Sequence, residues 1–98
     1  MKKVVLLSGA NGGIGTSILH SLLENGYKVI ALDVSNSNIS DQNIEFIKCD
    51  VTSHKDLENA FNKVKELTPS LFAIVNAVGI FKKAKLLLLF VIPFYENL

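Results

Sequence analysis

The chain has 98 residues, enough for one small domain, and a formal net charge of +1. A charge so close to zero gives no field that would attract nucleic acid or an anionic membrane surface. A single cysteine, Cys49, excludes an internal disulfide and fits a reducing cytoplasm, where we expect the protein to reside.

Apolar patterning argues against a secretory signal and against a membrane span. Lys2 and Lys3 precede only four apolar residues before Ser8, too few for the core of a signal peptide. The longest apolar run, residues 86–94, has nine residues and contains Pro93, whereas a helical span needs about 20. We therefore expect neither a nucleic-acid nor a membrane partner.

Strand-like and helix-like patterns alternate along the first three quarters of the chain. The predicted elements are a strand over 4–7, a helix over 13–24, a strand over 27–33, a polar loop over 35–43, a strand over 44–48, a helix from 53 to about 67, and a strand over 71–75. This alternation predicts an α/β fold with a right-handed parallel sheet of about four strands and two main helices.

The two helices carry different start and stop signals. Ile14, Ile18 and Leu22 form the predicted buried stripe of the first helix, with Leu19 and Leu23 beside it. Residues 25–26, Asn-Gly, end that helix. The second helix begins at Ser53, with Asp56 at the spacing of a capping box, and its predicted apolar face is Leu57, Ala60, Phe61, Val64 and Leu67.

The end of the chain departs from this pattern. Residues 81–98 combine a lysine cluster with an apolar run, and we treat them as an atypical tail after a domain that spans residues 1–80. Only about ten residues separate Val75 from the apolar run, too few for a parallel crossover. The tail is therefore an antiparallel strand or a short helix that ends at Pro93.

The first strand and first helix are joined by a glycine-rich turn, residues 8–15. Gly9 permits the sharp exit from the strand, Gly13 lets a pyrophosphate approach because it lacks a Cβ, and Gly15 lets the helix pack closely. The N–H groups near Ile14 and Gly15 would face the phosphates at a helix N-terminus. The turn therefore points to a dinucleotide.

An acidic residue ends the second predicted strand, 18 residues after Gly15. The Asp33 carboxylate can accept hydrogen bonds from both hydroxyls of an adenosine ribose, and it would repel a 2′-phosphate. The chain contains no arginine, since all ten of its basic residues are lysine. These two features favour NAD over NADP as the cofactor. Taken alone, Asp33 also suits a solvated strand end.

Polar or small residues also follow the third and fourth strands. Asp50 is a candidate acceptor for the adenine amino group, with Val51 packing on the ring, although Asp50 also suits a plain turn or cap. After the fourth strand, Asn76 needs hydrogen-bond partners for its amide, and Ala77 and Gly79 belong to the same turn. Parallel α/β sheets bind ligands at these carboxyl ends.

As an ordered set, these features resemble the short-chain dehydrogenase/reductase family over residues 3 to about 80. That family has Thr-Gly-x-x-x-Gly-x-Gly after the first strand, an acid after the second, Asp-Val after the third and Asn-Asn-Ala-Gly after the fourth. Ser8 replaces the threonine and keeps its hydroxyl, whereas Ala77 and Val78 depart from the pattern. The resemblance implies a Rossmann-like fold and hydride transfer between nicotinamide and an alcohol or ketone. The candidate cofactor-binding residues are Ser8, Gly9, Asn11, Gly13, Ile14, Gly15, Asp33, Asp50, Val51, Asn76, Ala77 and Gly79.

The family's catalytic pattern is missing from the chain. The resemblance implies a tyrosine with a lysine four residues later, but Ala31 follows Tyr27 at that spacing and Tyr95 has only three residues after it. We name no catalytic residue and expect a truncated chain that is inactive by itself. The family's sheet also continues beyond the fourth strand, so that strand and the tail are candidates for homo-oligomerisation or aggregation.

Three alternatives stay open. The chain is a non-catalytic module that binds a nucleotide or docks on another subunit, it is a non-functional gene remnant, or it belongs to the extended, epimerase-type branch. Gly12 supports the last alternative, because Gly9, Gly12 and Gly15 match that branch's spacing. The turn from Asn76 to Gly79 favours the ordinary reductase branch.

Overall fold

The computed structural model describes residues 2–35 and 39–77, and the predicted domain boundary and tail lie outside them. In chain order the elements are β1 (Val4–Ser8), α1 (Gly13–Glu24), β2 (Lys28–Asp33), β3 (Ile44–Lys48), α2 (His54–Leu67) and β4 (Ala73–Asn76). The predicted α/β architecture of four strands and two helices is confirmed. Neither α1 nor α2 has the length and apolar character that crossing a bilayer requires.

The four strands form one parallel sheet in the order β3-β2-β1-β4. Ser8 at the end of β1 is in register with Leu32 in β2 and with Asn76 in β4. The chain runs outward from β1 to β3 and then returns to the other side of β1. This reversal of strand order is the point at which open α/β sheets bind ligands.

The core lies on both faces of the two central strands. Alternate residues of β1 and β2 point to opposite faces, so Leu6 and Ile30 pack in one cluster and Leu7 and Val29 in the other. The first cluster includes Leu57, Ala60 and Val64 of α2, and the second includes Leu19 of α1. Burial on both faces explains why these strands read as continuous apolar runs.

The buried stripe of α1 differs from the prediction. Ile14 is 74% exposed, and the buried residues of the helix are Gly15 and Leu19. Ile18, Leu22 and Leu23 are partly buried against the cluster on that face. The helix α1 comes closest to the turn after β1 at Gly15. The helix face that contains Gly15 and Leu19 is therefore turned toward the core. Ile14 is left in the first turn, pointing away from the core.

The N-terminus of α2 has one of the two hydrogen bonds of the predicted capping box. The Ser53 hydroxyl accepts a hydrogen bond from the Asp56 N–H at 3.2 Å. The Asp56 carboxylate accepts instead from the Asp50 N–H at 2.9 Å, and the Ser53 N–H donates to the Asp50 carbonyl at 2.9 Å. The Asp56 carboxylate therefore links the helix to the turn after β3, while the Asp56 N–H bonds the cap residue Ser53.

β4 begins two residues later than predicted and ends one residue later. Leu71 precedes the strand and packs, partly buried, against the cluster that contains α2. The Phe72 N–H donates to the Val4 carbonyl at 2.8 Å, and its ring, 54% exposed, stacks on Tyr27 at 5.7 Å between centroids. Smaller differences affect β1, which extends to Ser8, and β2, which begins at Lys28.

Candidate functional site

A cavity of about 220 Å³ lies at the carboxyl ends of the strands. Its walls come from the turn after β1, the end of β2, the segment after β3 and the residue after β4. The lining residues are Gly9, Gly12, Leu32, Asp33, Val34, Cys49, Val51 and Ala77. Because all four strands are parallel, their ends meet at one edge of the sheet and enclose this space.

The glycine turn is held against the end of β2 by main-chain hydrogen bonds. Gly9 has a φ of 72°, which a residue with a side chain rarely adopts, and this lets the chain leave the strand sharply. The N–H groups of Gly9 and Ala10 both donate to the Leu32 carbonyl, at 2.9 and 3.3 Å. The turn therefore has a fixed position relative to the cavity.

Gly15 sets how closely α1 approaches that turn. A Cβ at Gly15 would overlap the carbonyl oxygen of Gly9, whereas a Cβ at Gly13 would have no atom within 4 Å. The sequence predicts that Gly15 lets α1 pack closely on β1. In the structure the close contact is with Gly9, the residue directly after β1. Gly13 instead faces open space beside the helix N-terminus.

The N-terminus of α1 presents main-chain donors next to the cavity. The first hydrogen bond of the helix runs from the Thr16 N–H to the Gly12 carbonyl at 2.8 Å, and no side chain caps this end. The N–H groups of Gly13, Ile14 and Gly15 precede that bond and so have no intrahelical acceptor. Such an end, with the positive pole of the helix dipole, suits an anion.

Asp33 lines the cavity and is hydrogen-bonded to both sides of it. Its Oδ2 accepts from the Asn11 N–H at 3.0 Å. Its Oδ1 accepts from the N–H and the hydroxyl of Ser35 at 3.2 and 3.3 Å. These donors fix the orientation of the carboxylate, and a carboxylate has capacity for further donors.

The two residues after Cys49 have different surroundings. Val51 is buried and lines the cavity. Asp50 is not among the lining residues, and its Oδ1 accepts from the N–H and hydroxyl of Thr52 at 2.9 and 2.6 Å. The Asp50 carboxylate thus makes the local turn contacts that its alternative interpretation predicts.

The fourth strand joins the site through Ser8. The Ser8 hydroxyl donates to the Asn76 Oδ1 at 3.2 Å, which supplies a partner for the Asn76 amide as the sequence requires. The Ser8 carbonyl accepts from the Ala77 N–H at 2.9 Å, and Ala77 lines the cavity. Gly79 lies outside the described residues.

The cavity brings together four of the residues selected from the sequence: Gly9, Asp33, Val51 and Ala77. Six others, Ser8, Asn11, Gly13, Ile14, Gly15 and Asn76, lie in the same turn and strand ends without lining it, as does Asp50 in the turn after β3. The candidates chosen from the sequence omit four lining residues: Gly12, Leu32, Val34 and Cys49, of which Gly12 entered only through the epimerase-type spacing. Each of them directly adjoins a selected residue. Their position at the end of a strand was therefore the sequence signal that could have identified them.

Cys49 is buried at the cavity wall, with 1% of its surface exposed. Burial, with a smaller effect of the negative charges of Asp56 and Asp50, raises the pKa of Cys49 to about 11. The thiol is therefore protonated at neutral pH and behaves as a packed apolar group. Within residues 2–35 and 39–77, no group of three His, Cys, Asp or Glu residues is arranged to hold a metal ion.

The chain belongs to the short-chain dehydrogenase family, because the family's sequence profile, described as short chain dehydrogenase, matches residues 3–89. This match extends past residue 80, where the motif resemblance ends.

Two relatives and one solved structure illustrate the similarity. Rat (Rattus norvegicus) 15-hydroxyprostaglandin dehydrogenase [NAD(+)] is 33% identical over 89 residues, which cover 80% of this chain and 34% of that enzyme. Pea (Pisum sativum) UDP-glucose 4-epimerase is 36% identical over 90 residues, covering 76% of this chain and 25% of the epimerase. This chain thus spans about a third of the length of the rat enzyme and a quarter of the length of the pea enzyme.

The fold is also found in the crystal structure of a short chain dehydrogenase from Leptospira borgpetersenii with bound NAD+. The TM-score is 0.86 at 20% identity, with 99% of this chain and 47% of that chain covered. At this identity the likeness concerns the fold, and it confirms the Rossmann-like architecture.

Alanine at Gly15 and at Gly13 is expected to have opposite effects on stability. Gly15→Ala forces α1 away from the Gly9 carbonyl and should lower the free energy of unfolding by about 2 kcal/mol or more. Gly13→Ala meets no atom within 4 Å and should be neutral or stabilising by up to about 1 kcal/mol. Urea denaturation followed by circular dichroism measures both, and equal stabilities would contradict the proposed close contact.

The Cys49 thiol is expected to make stability depend on pH above 9. Its pKa rises from 9.0 to about 11 on folding, so the folded chain retains a proton that the unfolded chain loses in this range. The free energy of unfolding should therefore fall from about pH 9 to pH 11 more steeply than in Cys49→Ala. Parallel profiles for the two proteins would show that folding does not raise the pKa of this thiol.

Proposed function

We propose that this chain is the N-terminal, NAD-binding part of a short-chain oxidoreductase that transfers hydride between nicotinamide and an alcohol or ketone carbon. The observation that carries the proposal is the juxtaposition of two recognition groups at one cavity. The N-terminus of α1 offers main-chain donors suited to a pyrophosphate, and Asp33 offers a carboxylate suited to ribose hydroxyls. Family membership supports the same function.

The pyrophosphate would bind at the N–H groups of Gly13, Ile14 and Gly15. The neighbouring amides of Gly9 and Ala10 are already hydrogen-bonded to Leu32, so they hold the turn and do not serve the ligand. Gly13 is exposed and has open space where a Cβ would stand. A phosphate can therefore come close to the main chain there.

The adenosine would occupy the cavity itself. Leu32, Val34 and Val51 provide apolar walls, and Val34 is 54% exposed and would be covered by an adenine ring. Asp50, in the turn beside Val51, is the proposed acceptor for the adenine amino group. Ser8, Asn76, Ala77 and Gly79 would complete the edge of the site toward the nicotinamide.

NAD is the proposed cofactor rather than NADP. The Asp33 carboxylate would accept from both ribose hydroxyls, whereas a 2′-phosphate would place negative charge beside negative charge. The chain has no arginine to offset that repulsion or clamp the phosphate. The rat relative carries NAD(+) in its name, in agreement with this choice.

The 98 residues contain no tyrosine with a lysine four residues later. We therefore expect these residues by themselves to bind the cofactor without transferring hydride. The proposal also includes a cytoplasmic location, supported by the unpaired Cys49, and self-association through β4, which is an edge of the described sheet.

A second candidate is the nucleotide-binding part of an epimerase-type enzyme. Gly12 lines the cavity and completes the Gly9-x-x-Gly12-x-x-Gly15 spacing, and the pea epimerase is 36% identical over 90 residues. Both candidates require the same dinucleotide site. They differ in the sugar-nucleotide or alcohol substrate, which the remainder of such an enzyme would bind.

Binding to the pure chain tests the proposed cofactor. Isothermal titration calorimetry should show NAD+ binding more tightly than NADP+, and Asp33→Asn should weaken NAD+ binding by about tenfold or more because it removes a charged acceptor. The control Asp41→Asn changes a carboxylate that accepts from the Asn43 N–H in its own loop, and it should leave the affinity unchanged. Absence of NAD+ binding by a folded chain would contradict the proposed function.

A further inference from the structure

Main-chain and side-chain groups of three residues form a closed hydrogen-bonded network beside the cavity. The Asn11 side-chain amide donates to the carbonyl and to the hydroxyl of Ser35 at 2.8 and 3.0 Å. Ser35 donates from its N–H and hydroxyl to the Asp33 Oδ1, and the Asn11 N–H donates to the Asp33 Oδ2. We define these residues, Asn11, Asp33 and Ser35, as the rim network.

The rim network joins two walls that are distant in sequence. Asn11 lies between Gly9 and Gly12, which both line the cavity, and Ser35 follows Val34, which also lines it. The separation of Asn11 from Ser35 is 24 residues. The network thus connects the glycine turn to the segment after β2 at their outer edge, where the main-chain bonds to Leu32 do not reach.

Both oxygens of the Asp33 carboxylate accept hydrogen bonds within the network. Oδ2 receives the donor from the turn and Oδ1 receives two donors from Ser35. Without the Asn11 side-chain amide, Ser35 loses its connection to the turn, so the two Ser35 donors that remain on Oδ1 hold the Asp33 carboxylate less firmly. A ligand that uses the carboxylate would then have to restrict it on binding, at an entropic cost.

From these contacts we infer that Asn11 is a positioning residue that holds Asp33, through Ser35, in the orientation that receives the ribose hydroxyls. This inference rests on the proposed function and assigns to Asn11 a role different from contact with the cofactor. It predicts that the Asn11 side chain favours NAD+ specifically. A dinucleotide with a 2′-phosphate does not use the Asp33 carboxylate in the same way and gains little from the network.

The first test compares NAD+ and NADP+ affinities of Asn11→Ala with those of the wild-type chain by calorimetry. We expect NAD+ binding to weaken about fivefold, the net effect of about one hydrogen bond, while NADP+ binding changes less than about twofold. The matched control is Asn25→Ala, which removes a similar exposed bond, from the Asn25 amide to the Ser21 carbonyl at 2.7 Å, at the far end of α1. It should change neither affinity.

A double-mutant cycle then separates positioning from a general structural role. If Asn11 acts through Asp33, Asn11→Ala should have almost no further effect on NAD+ affinity in the Asp33→Asn background. Additive losses, or equal losses for NAD+ and NADP+, would show a structural role and overturn the inference.

The remaining outcomes distinguish this inference from the proposed function. If the wild-type chain binds NAD+ and Asn11→Ala binds it equally well, the inference is wrong and the proposed function stands. If the folded wild-type chain binds no dinucleotide, the proposed function is wrong and the inference fails with it.

Discussion

The close contact between Gly15 and the carbonyl of Gly9 is the constraint on which the rest of the site depends. It allows α1 to begin directly against the turn after β1, because no side chain separates the two. As a result the N-terminus of the helix points its donors at the carboxyl edge of the sheet. The same contact selects which face of α1 is buried, and so it places Leu19 in the core and leaves Ile14 exposed.

The cavity follows from the order of the strands. β1 lies between β2 and β4, so the turn after β1 has neighbours on both sides. They are Asp33 and Val34 at the end of β2 and Ala77 directly after β4. Main-chain hydrogen bonds to Leu32 fix the start of this turn. The rim network fixes the outer edge of the turn. The main-chain donors at the N-terminus of α1 and the Asp33 carboxylate are therefore held beside the same cavity, as the proposed recognition of one dinucleotide requires.

Much of this arrangement was predictable from periodicity and glycine spacing. The runs that became β1 and β2 are apolar on both faces, and β3 and α1 have the predicted bounds. The predictions were wrong where tertiary contacts determine the structure. The inward face of α1 depends on the close approach at Gly15, and the Asp56 carboxylate accepts from the Asp50 N–H rather than from the N–H of the cap residue Ser53. The rim network joins residues 24 apart in sequence, and no local pattern predicts such a contact.

An NMR titration of the 15N-labelled chain with NAD+ is the most direct test of a dinucleotide site at the cavity. We expect the largest amide shifts at Gly13, Ile14 and Gly15, with a second group at Asp33 and Val34. The amides of α2 beyond its first turn should move little. A titration in which folded protein shows no shifts, or shifts confined to the opposite, amino edge of the sheet near Phe72, would contradict a dinucleotide site at this cavity.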